Sequence, residues 1–168
     1  MSGSERPSYF PMMIDLKGRK VLVVGGGNVA SRRAGKLLLC GAEVVAVSPE
    51  FVPDFPGGAE RITRQFQAGD ITGNLALVVA ATDDRETNKL IHDTANSMGI
   101  PVNVSDCQDE CDFFFPSLII SGSVAVSVCS AGTSPELTRR LSDHLREVWP
   151  SWVEEEGGYL RPKNEKIH

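Results

Sequence analysis

Residues 20–48 read KVLVVGGGNVASRRAGKLLLCGAEVVAVS, and the reading of this stretch decides the fold. Lys20 to Val24 is a short apolar run suited to a strand buried on both faces, and it ends in three consecutive glycines. Beyond them the period changes, because Val29, Ala30, Ala34, Leu37 and Leu38 fall at helical spacing. Gly41 is placed to cap that helix at its C-terminus, and Glu43 to Val47 supplies a second buried strand. Strand, tight turn, helix and strand in immediate succession predict a βαβ unit with parallel strands.

Working outward, Pro49 to Gly58 holds three prolines and two glycines and reads as a loop. Arg61 to Phe66 is a third strand whose mixed polarity suits a sheet edge, and Leu75 to Ala81 is a fourth, buried one. A helix follows in which Leu90, Ile91, Thr94, Ala95 and Met98 share a face, with Asp83 and Glu86 as its capping pair and Gly99 as its end. Pro101 to Val104 is the fifth strand, and Ser105 to Asp112 is polar. The pattern then turns antiparallel, with β-rich runs from Phe113 to Ile120 and Ser123 to Ser130 joined at Ser121-Gly122. Ser134 is the expected N-cap of a last helix with Pro135 as its first residue and Leu137, Leu141, Leu145 and Val148 in one stripe; from Pro150 to His168 a polar, loosely held tail is expected. The expected class is α/β: a Rossmann-type parallel sheet with helices on both faces (residues 1–112), then a hairpin plus helix (113–150), then the tail (151–168).

Composition narrows the function. No apolar run approaches the ~20 residues that cross a bilayer, and Met1 to Ser8 lacks the order of a secretory signal, so a cytoplasmic chain with no membrane partner is expected. A net charge of -5 argues against nucleic acid as a partner, since phosphate neutralisation needs clustered Lys and Arg. Cys40, Cys107, Cys111 and Cys129 are expected as free thiols; Cys107 and Cys111 stand apart from any second pair or nearby histidine, so no metal site is expected. His92 and His144 fall within expected helices and His168 is terminal, so no Ser-His-Asp or Cys-His arrangement emerges.

The chemistry gathers where strands end. Gly25-x-Gly27-x-x-Ala30, directly after a strand and opening a helix, is a dinucleotide fingerprint. Gly25 permits the sharp turn, Gly27 lets the backbone approach a pyrophosphate, and Ala30 lets helix and strand pack closely. The second strand ends in Ser48 rather than an acid, and Glu50 two residues later is the candidate for the ribose hydroxyls, favouring NAD. Thr82 and Asp83 end the fourth strand, and Asn103, Ser105 and Asp106 end the fifth, on the side where open α/β sheets place ligands. Asp106 is the acid best placed to handle a proton beside a nicotinamide. Ser127 to Pro135, with Ser130, Thr133 and Ser134 around Gly132, leads into a helix N-terminus and suits carboxylates or phosphate.

These motifs together resemble a known family. YFPMMIDLKGRKVLVVGGGNVASRRA, residues 9–34, opens as the precorrin-2 dehydrogenases and the N-terminal parts of sirohaem synthases do, and Ala80-Ala-Thr-Asp-Asp, Asn103-Val-Ser-Asp, Phe115-Pro-Ser and Ser130-Ala-Gly-Thr-Ser-Pro follow in that family's order across roughly residues 9 to 148. The resemblance implies oxidation of precorrin-2 to sirohydrochlorin with NAD as hydride acceptor, followed in some members by insertion of ferrous iron. It also implies a homodimer built on the hairpin and last helix, an essential aspartate at Asp106, nucleotide contacts around Asn28, Val29, Pro49 and Glu50, and a serine, phosphorylated in some members, at Ser130. The tetrapyrrole carries many carboxylates, for which Arg32, Arg33, Arg139 and Arg140 are candidates. The further helical domain of full-length relatives is expected to be largely absent, only a short segment following Trp149. Cys107 to Asp112, with two cysteines and three acids, departs from the smaller residues the resemblance leads one to expect, and metal binding there is a minor possibility. Two other classes fit the same glycine turn: a non-catalytic nucleotide-sensing module, and a chelatase without the oxidation step.

Overall fold

The apolar run at the start of the deciding stretch becomes strand β1 (Lys20–Val24) in a computed structural model, which describes residues 9–121 and 124–155 of the chain. Helix α1 (Asn28–Leu39) and strand β2 (Glu43–Ser48) complete the βαβ unit. Gly41 ends α1 as expected, with a φ of +78° that lets Ala42 N donate back to the Leu37 carbonyl at 3.1 Å.

Strand β3 (Glu60–Thr63), strand β4 (Leu77–Ala80), helix α2 (Arg85–Ser97) and strand β5 (Val102–Val104) follow. The five strands are all parallel in the order β3-β2-β1-β4-β5. The chain doubles back at β1, so β2 and β3 lie on one side of it and β4 and β5 on the other. A crevice at the carboxyl ends of β1 and β4 follows from that reversal.

Pleating sends alternate strand residues to opposite faces. Leu22, Val24, Val78, Ala80, Val102 and Val104 pack with Ile91 and Ala95 of α2 in one buried cluster. Val21, Val23 and Val79, of opposite parity, are also fully buried, and Ala30, Ala34 and Leu37 of α1 are buried. The Rossmann-type sheet with helices on both faces is therefore present as expected.

Several boundaries are corrected. β3 runs from Glu60 and stops at Thr63 rather than reaching Phe66, because Arg64 turns out of line to form a paired hydrogen bond with Asp70 at 2.8 and 2.5 Å. The cap of α2 is Asp84, whose carboxylate accepts from Thr87 N at 2.9 Å, and not the pair Asp83 and Glu86. On α2 the buried positions are Asn88, Ile91 and Ala95, while Leu90 and Met98 are exposed. After β5 the chain runs back along its outer edge, Asp112 N donating to the Val102 carbonyl and the Asp112 carboxylate accepting from Val102 N, both at 2.9 Å. That return occupies an edge that would otherwise stay open.

Among the described residues, those from Phe115 to Glu155 form a separate compact unit. Strands β6 (Ser117–Ser121) and β7 (Val124–Val128) pair antiparallel, and helix α3 (Pro135–Glu155) packs on β6. β6 begins only at Ser117 because Pro116 has no N–H to place in a ladder. The expected turn at Ser121-Gly122 extends beyond the described residues at Gly122. α3 continues through Pro150 to Glu155, where a loose tail is expected from the sequence; the proline forgoes one backbone bond without ending the helix. The rest of that tail, residues 156–168, lies outside the described residues. Leu137, Leu141 and Val148 of the expected stripe are exposed, while Ser142 is buried, its hydroxyl donating to the Thr138 carbonyl at 2.6 Å.

Candidate functional site

Three glycines at the end of β1 have three different surroundings. Gly25 has a φ of +122°, and a Cβ there would lie 2.2 Å from the Ala81 carbonyl oxygen, so only glycine fits between β1 and the loop after β4. At Gly26 a Cβ would lie 1.8 Å from the Glu50 carbonyl oxygen and 2.8 Å from Ser48 Oγ. At Gly27 it would meet nothing within 4 Å. Gly25 and Gly26 are thus held by the protein's own loops, while Gly27 leaves space in front of α1. Sequence reading passed over Gly26, which stands at the variable place of the fingerprint; the unbroken run of glycines was the signal.

α1 opens at Asn28 with Gly27 before it, no side-chain hydrogen bond caps it, and its first turn holds no acid. Its leading N–H groups and the positive end of its dipole therefore face a gap with no competing carboxylate in that turn. Asn28 and Val29 are exposed at this end, and Ala30 is fully buried against the sheet. A dinucleotide's pyrophosphate fits this donor set and the open side at Gly27.

The loop after β2 is braced from within. Ser48 is buried and its hydroxyl donates to the Glu50 carbonyl at 2.7 Å, the same carbonyl that excludes a side chain at Gly26. Pro49 and Glu50 are exposed. Arg64 sits beside this strand end through its N–H, 3.1 Å from the Ser48 carbonyl, while its guanidinium is held by Asp70.

Thr82, at the end of β4, is locked by Asn88, which sequence reading missed because a buried asparagine breaks the apolar stripe of α2. The Thr82 N–H and hydroxyl donate to Asn88 Oδ1 at 3.1 and 2.8 Å, and Asn88 Nδ2 returns to the Thr82 carbonyl at 3.1 Å. Asp83 is exposed. Hydrogen bonds from Thr87 hold the Asp84 carboxyl below its ordinary range.

β5 brings three of the candidates to the neighbouring strand end. Ser105 N donates to the Ala80 carbonyl at 2.9 Å, tying that end to β4. Asn103 is buried, and its Nδ2 donates to the Phe113 carbonyl at 2.6 Å. Asp106 forms an ion pair at 3.0 Å with Nη1 of Arg85, the first residue of α2. The other guanidinium nitrogen, Nη2, pairs closely with Glu110, on a 3-10 turn (Gln108–Glu110). Neither Arg85 nor Glu110 was singled out from the sequence, since both look like solvated surface charges until the fold joins them. Cys111 is part of the packing here: its thiol donates to the Val104 carbonyl at 3.1 Å, and burial pushes its pKa up. Among the described residues no group of acids, cysteines and histidines is arranged to hold a metal ion.

In the second unit, the Ser130 hydroxyl accepts from Ser134 N at 3.1 Å and from the Thr138 hydroxyl at 2.9 Å. Thr133 donates through its N–H and hydroxyl to the Ser130 carbonyl at 3.0 and 2.6 Å. Ser130 thereby binds the approach to α3, while Ser134 stands just ahead of Pro135 and its carbonyl accepts from Thr138 N at 3.0 Å.

Residues 12–117 match a family model described as NAD(P)-binding. The chain is 46% identical over 145 residues to siroheme synthase 2 of Aeromonas hydrophila, the match covering 84% of this chain and 31% of that protein. It is 43% identical over 148 residues to a siroheme synthase of Methylococcus capsulatus, covering 85% of this chain and 31% of that one. The chain thus spans about a third of the length of these relatives. Among solved structures, SirC, a precorrin-2 dehydrogenase, matches with a TM-score of 0.69 and 26% identity over 87% of this chain and 76% of that one. The resemblance read from the motifs is borne out by these matches. No helix among the described residues is long and apolar enough to cross a membrane.

Proposed function

Because the chain belongs to the NAD(P)-binding family, we propose that it is an NAD-dependent precorrin-2 dehydrogenase, oxidising precorrin-2 to sirohydrochlorin in sirohaem biosynthesis. The observation that carries this reading is the cradle at Gly27 and the uncapped start of α1, set at the reversal of the sheet in the same unit as Asp106. Siroheme synthases at 40% identity and above, and the SirC fold, supply the substrate class.

The reaction removes one hydride and one proton from the reduced macrocycle. Bound NAD supplies the acceptor for the hydride and its electron pair. The chain's part is to hold and orient. Gly27 and the first N–H groups of α1 would hold the pyrophosphate, and the Asn88 lock on Thr82 fixes the start of the loop after β4. Asp106, exposed just beyond the end of β5, accepts the proton at a carboxylate oxygen. Glu50 is exposed beyond β2 where a ribose hydroxyl is gripped, and the neighbouring cation Arg64 is committed to Asp70. That arrangement favours NAD over a coenzyme bearing a 2'-phosphate.

We assign cofactor binding to residues 1–112 and dimerisation to residues 113–150, with a second copy as partner. In the same reading, ferrous iron is a second substrate where insertion into the product follows. The deciding experiment mixes the protein with NAD and enzymatically generated precorrin-2, with and without ferrous iron, and follows the visible spectrum of the tetrapyrrole together with the near-ultraviolet absorbance of NADH. Spectral conversion with stoichiometric NADH is expected. NAD binding with no conversion would indicate a nucleotide sensor, and metal insertion into supplied sirohydrochlorin without any oxidation would indicate a chelatase.

A further inference from the structure

The guanidinium of Arg85 bridges two carboxylates that lie 21 and 25 residues away in sequence. It is anchored from both directions. On its own side, Arg85 is the first residue of α2, fixed by the Asp84 cap before it and the Asn88 lock one turn later. On the other side, Glu110 closes a 3-10 turn whose exit is pinned by Cys111, N donating to the Gln108 carbonyl at 3.1 Å and Sγ accepting from Val104 N at 3.2 Å. Glu110 is the more enclosed partner, with its side chain 20% exposed against 35% for Asp106. Its second oxygen, Oε2, is buried and has no hydrogen-bond partner among the described residues.

We propose that Arg85 is a positioning residue for the oxidation, holding Asp106 at the end of β5 while Glu110 keeps the guanidinium neutralised. This rests on the reading of Asp106 as the proton acceptor. A lone Arg–Asp pair resists protonation, because the proton strips the cation of its only counter-charge. The second carboxylate removes that obstacle. When Asp106 takes the proton, Arg85 remains paired with Glu110, so the guanidinium keeps a counter-charge at its part-buried contact. The fork geometry matters, since one nitrogen serves each acid and a lysine offers only a single point of charge.

The test uses the full chain and measures kcat and KM for the tetrapyrrole, the NAD dissociation constant by fluorescence titration, and the melting temperature. Arg85→Gln is expected to lower kcat by about ten- to a hundredfold, the scale of a misplaced catalytic group, with KM and NAD affinity unchanged; Arg85→Lys recovers part of the loss. In an Asp106→Asn background, Arg85→Gln is expected to cost nothing more, because the group it positions is already gone. Glu110→Gln, which leaves the fold's backbone contacts intact, is expected to lower kcat as well and serves if Arg85→Gln does not fold. Wild-type kcat in both Arg85→Gln and Glu110→Gln, with Asp106→Asn inactive, would overturn the positioning role while leaving Asp106 in place. A rise in KM alone would overturn it in favour of direct contact with a substrate carboxylate. Full turnover by Asp106→Asn would overturn the underlying reading itself.

Discussion

At the scale of single residues, the glycine elbow separates folding from binding within three positions. Gly26 is pressed against the Glu50 carbonyl, so Gly26→Ala forces the loop after β2 to move, a clash of the overpacking kind that costs roughly 1–3 kcal/mol. Gly27 has an ordinary φ of -80° and open space around its missing Cβ. Gly27→Asp is therefore expected to melt with the parent protein yet bind NAD at least about tenfold more weakly, roughly 1.4 kcal/mol, because its carboxylate enters the open space that the proposed function assigns to the pyrophosphate. Thermal melts and NAD titration of the two variants check this. The opposite pattern, with Gly27→Asp unstable or Gly26→Ala merely weak in binding, would show that the elbow is oriented the other way round. A similar division explains what the sequence hid. Asp83 and Asp84 are adjacent acids, and which of them caps α2 depends on one backbone turn; the partner proves to be Thr87 rather than Glu86.

At the scale of elements, three carboxyls among the described residues are held below their ordinary range: Asp70 by hydrogen bonds from the Arg64 guanidinium, Asp84 by Thr87, and Asp93 by His92 and then Lys89. A depressed folded-state pKa contributes stability that is fully present above the unfolded value, about 3.9 for aspartate, and is lost as pH falls through the lower folded values. Melting temperature is thus expected to fall below about pH 4 as far as these groups decide it. Asp70→Asn should melt lower than the parent at neutral pH and converge with it in acid, and a constant gap across that range would remove the Arg64 pair from the stability of β3. The elements themselves were legible wherever period and punctuation agreed. β1, α1 and β2 carry long apolar patterns closed by glycine, and they lie within a residue of expectation. β3 was overextended because Arg64 looks like any strand residue until Asp70, six positions on, draws it away. Asn88, Arg85 and Glu110 were illegible for a common reason. Their partners, Thr82, Asp106 and one another, come from separate elements, and a polar residue gains meaning only when the fold supplies the group it faces.

At the scale of the whole molecule, the second unit leaves apolar area uncovered. Leu137, Leu141 and Val148 recur along one side of α3 and are 61%, 46% and 43% exposed, while the interior position between them is filled by Ser142. A stripe with this period normally meets a partner surface. A second copy is the partner the proposed function calls for, and a two-fold arrangement would set the same stripe against itself. Leu141→Asp places a charge at the centre of that stripe without touching the Ser130 network ahead of α3 or the elbow after β1. Sedimentation velocity is expected to show the parent as a dimer and Leu141→Asp as a monomer, since burying an unpaired carboxylate on each side opposes association. NAD affinity should be the same in both, because the donor set at Gly27 and α1 belongs wholly to the first unit. A parent that sediments as a monomer, or a variant that stays dimeric, would place the interface elsewhere, and a loss of NAD binding on dissociation would mean that the second copy completes the cofactor site.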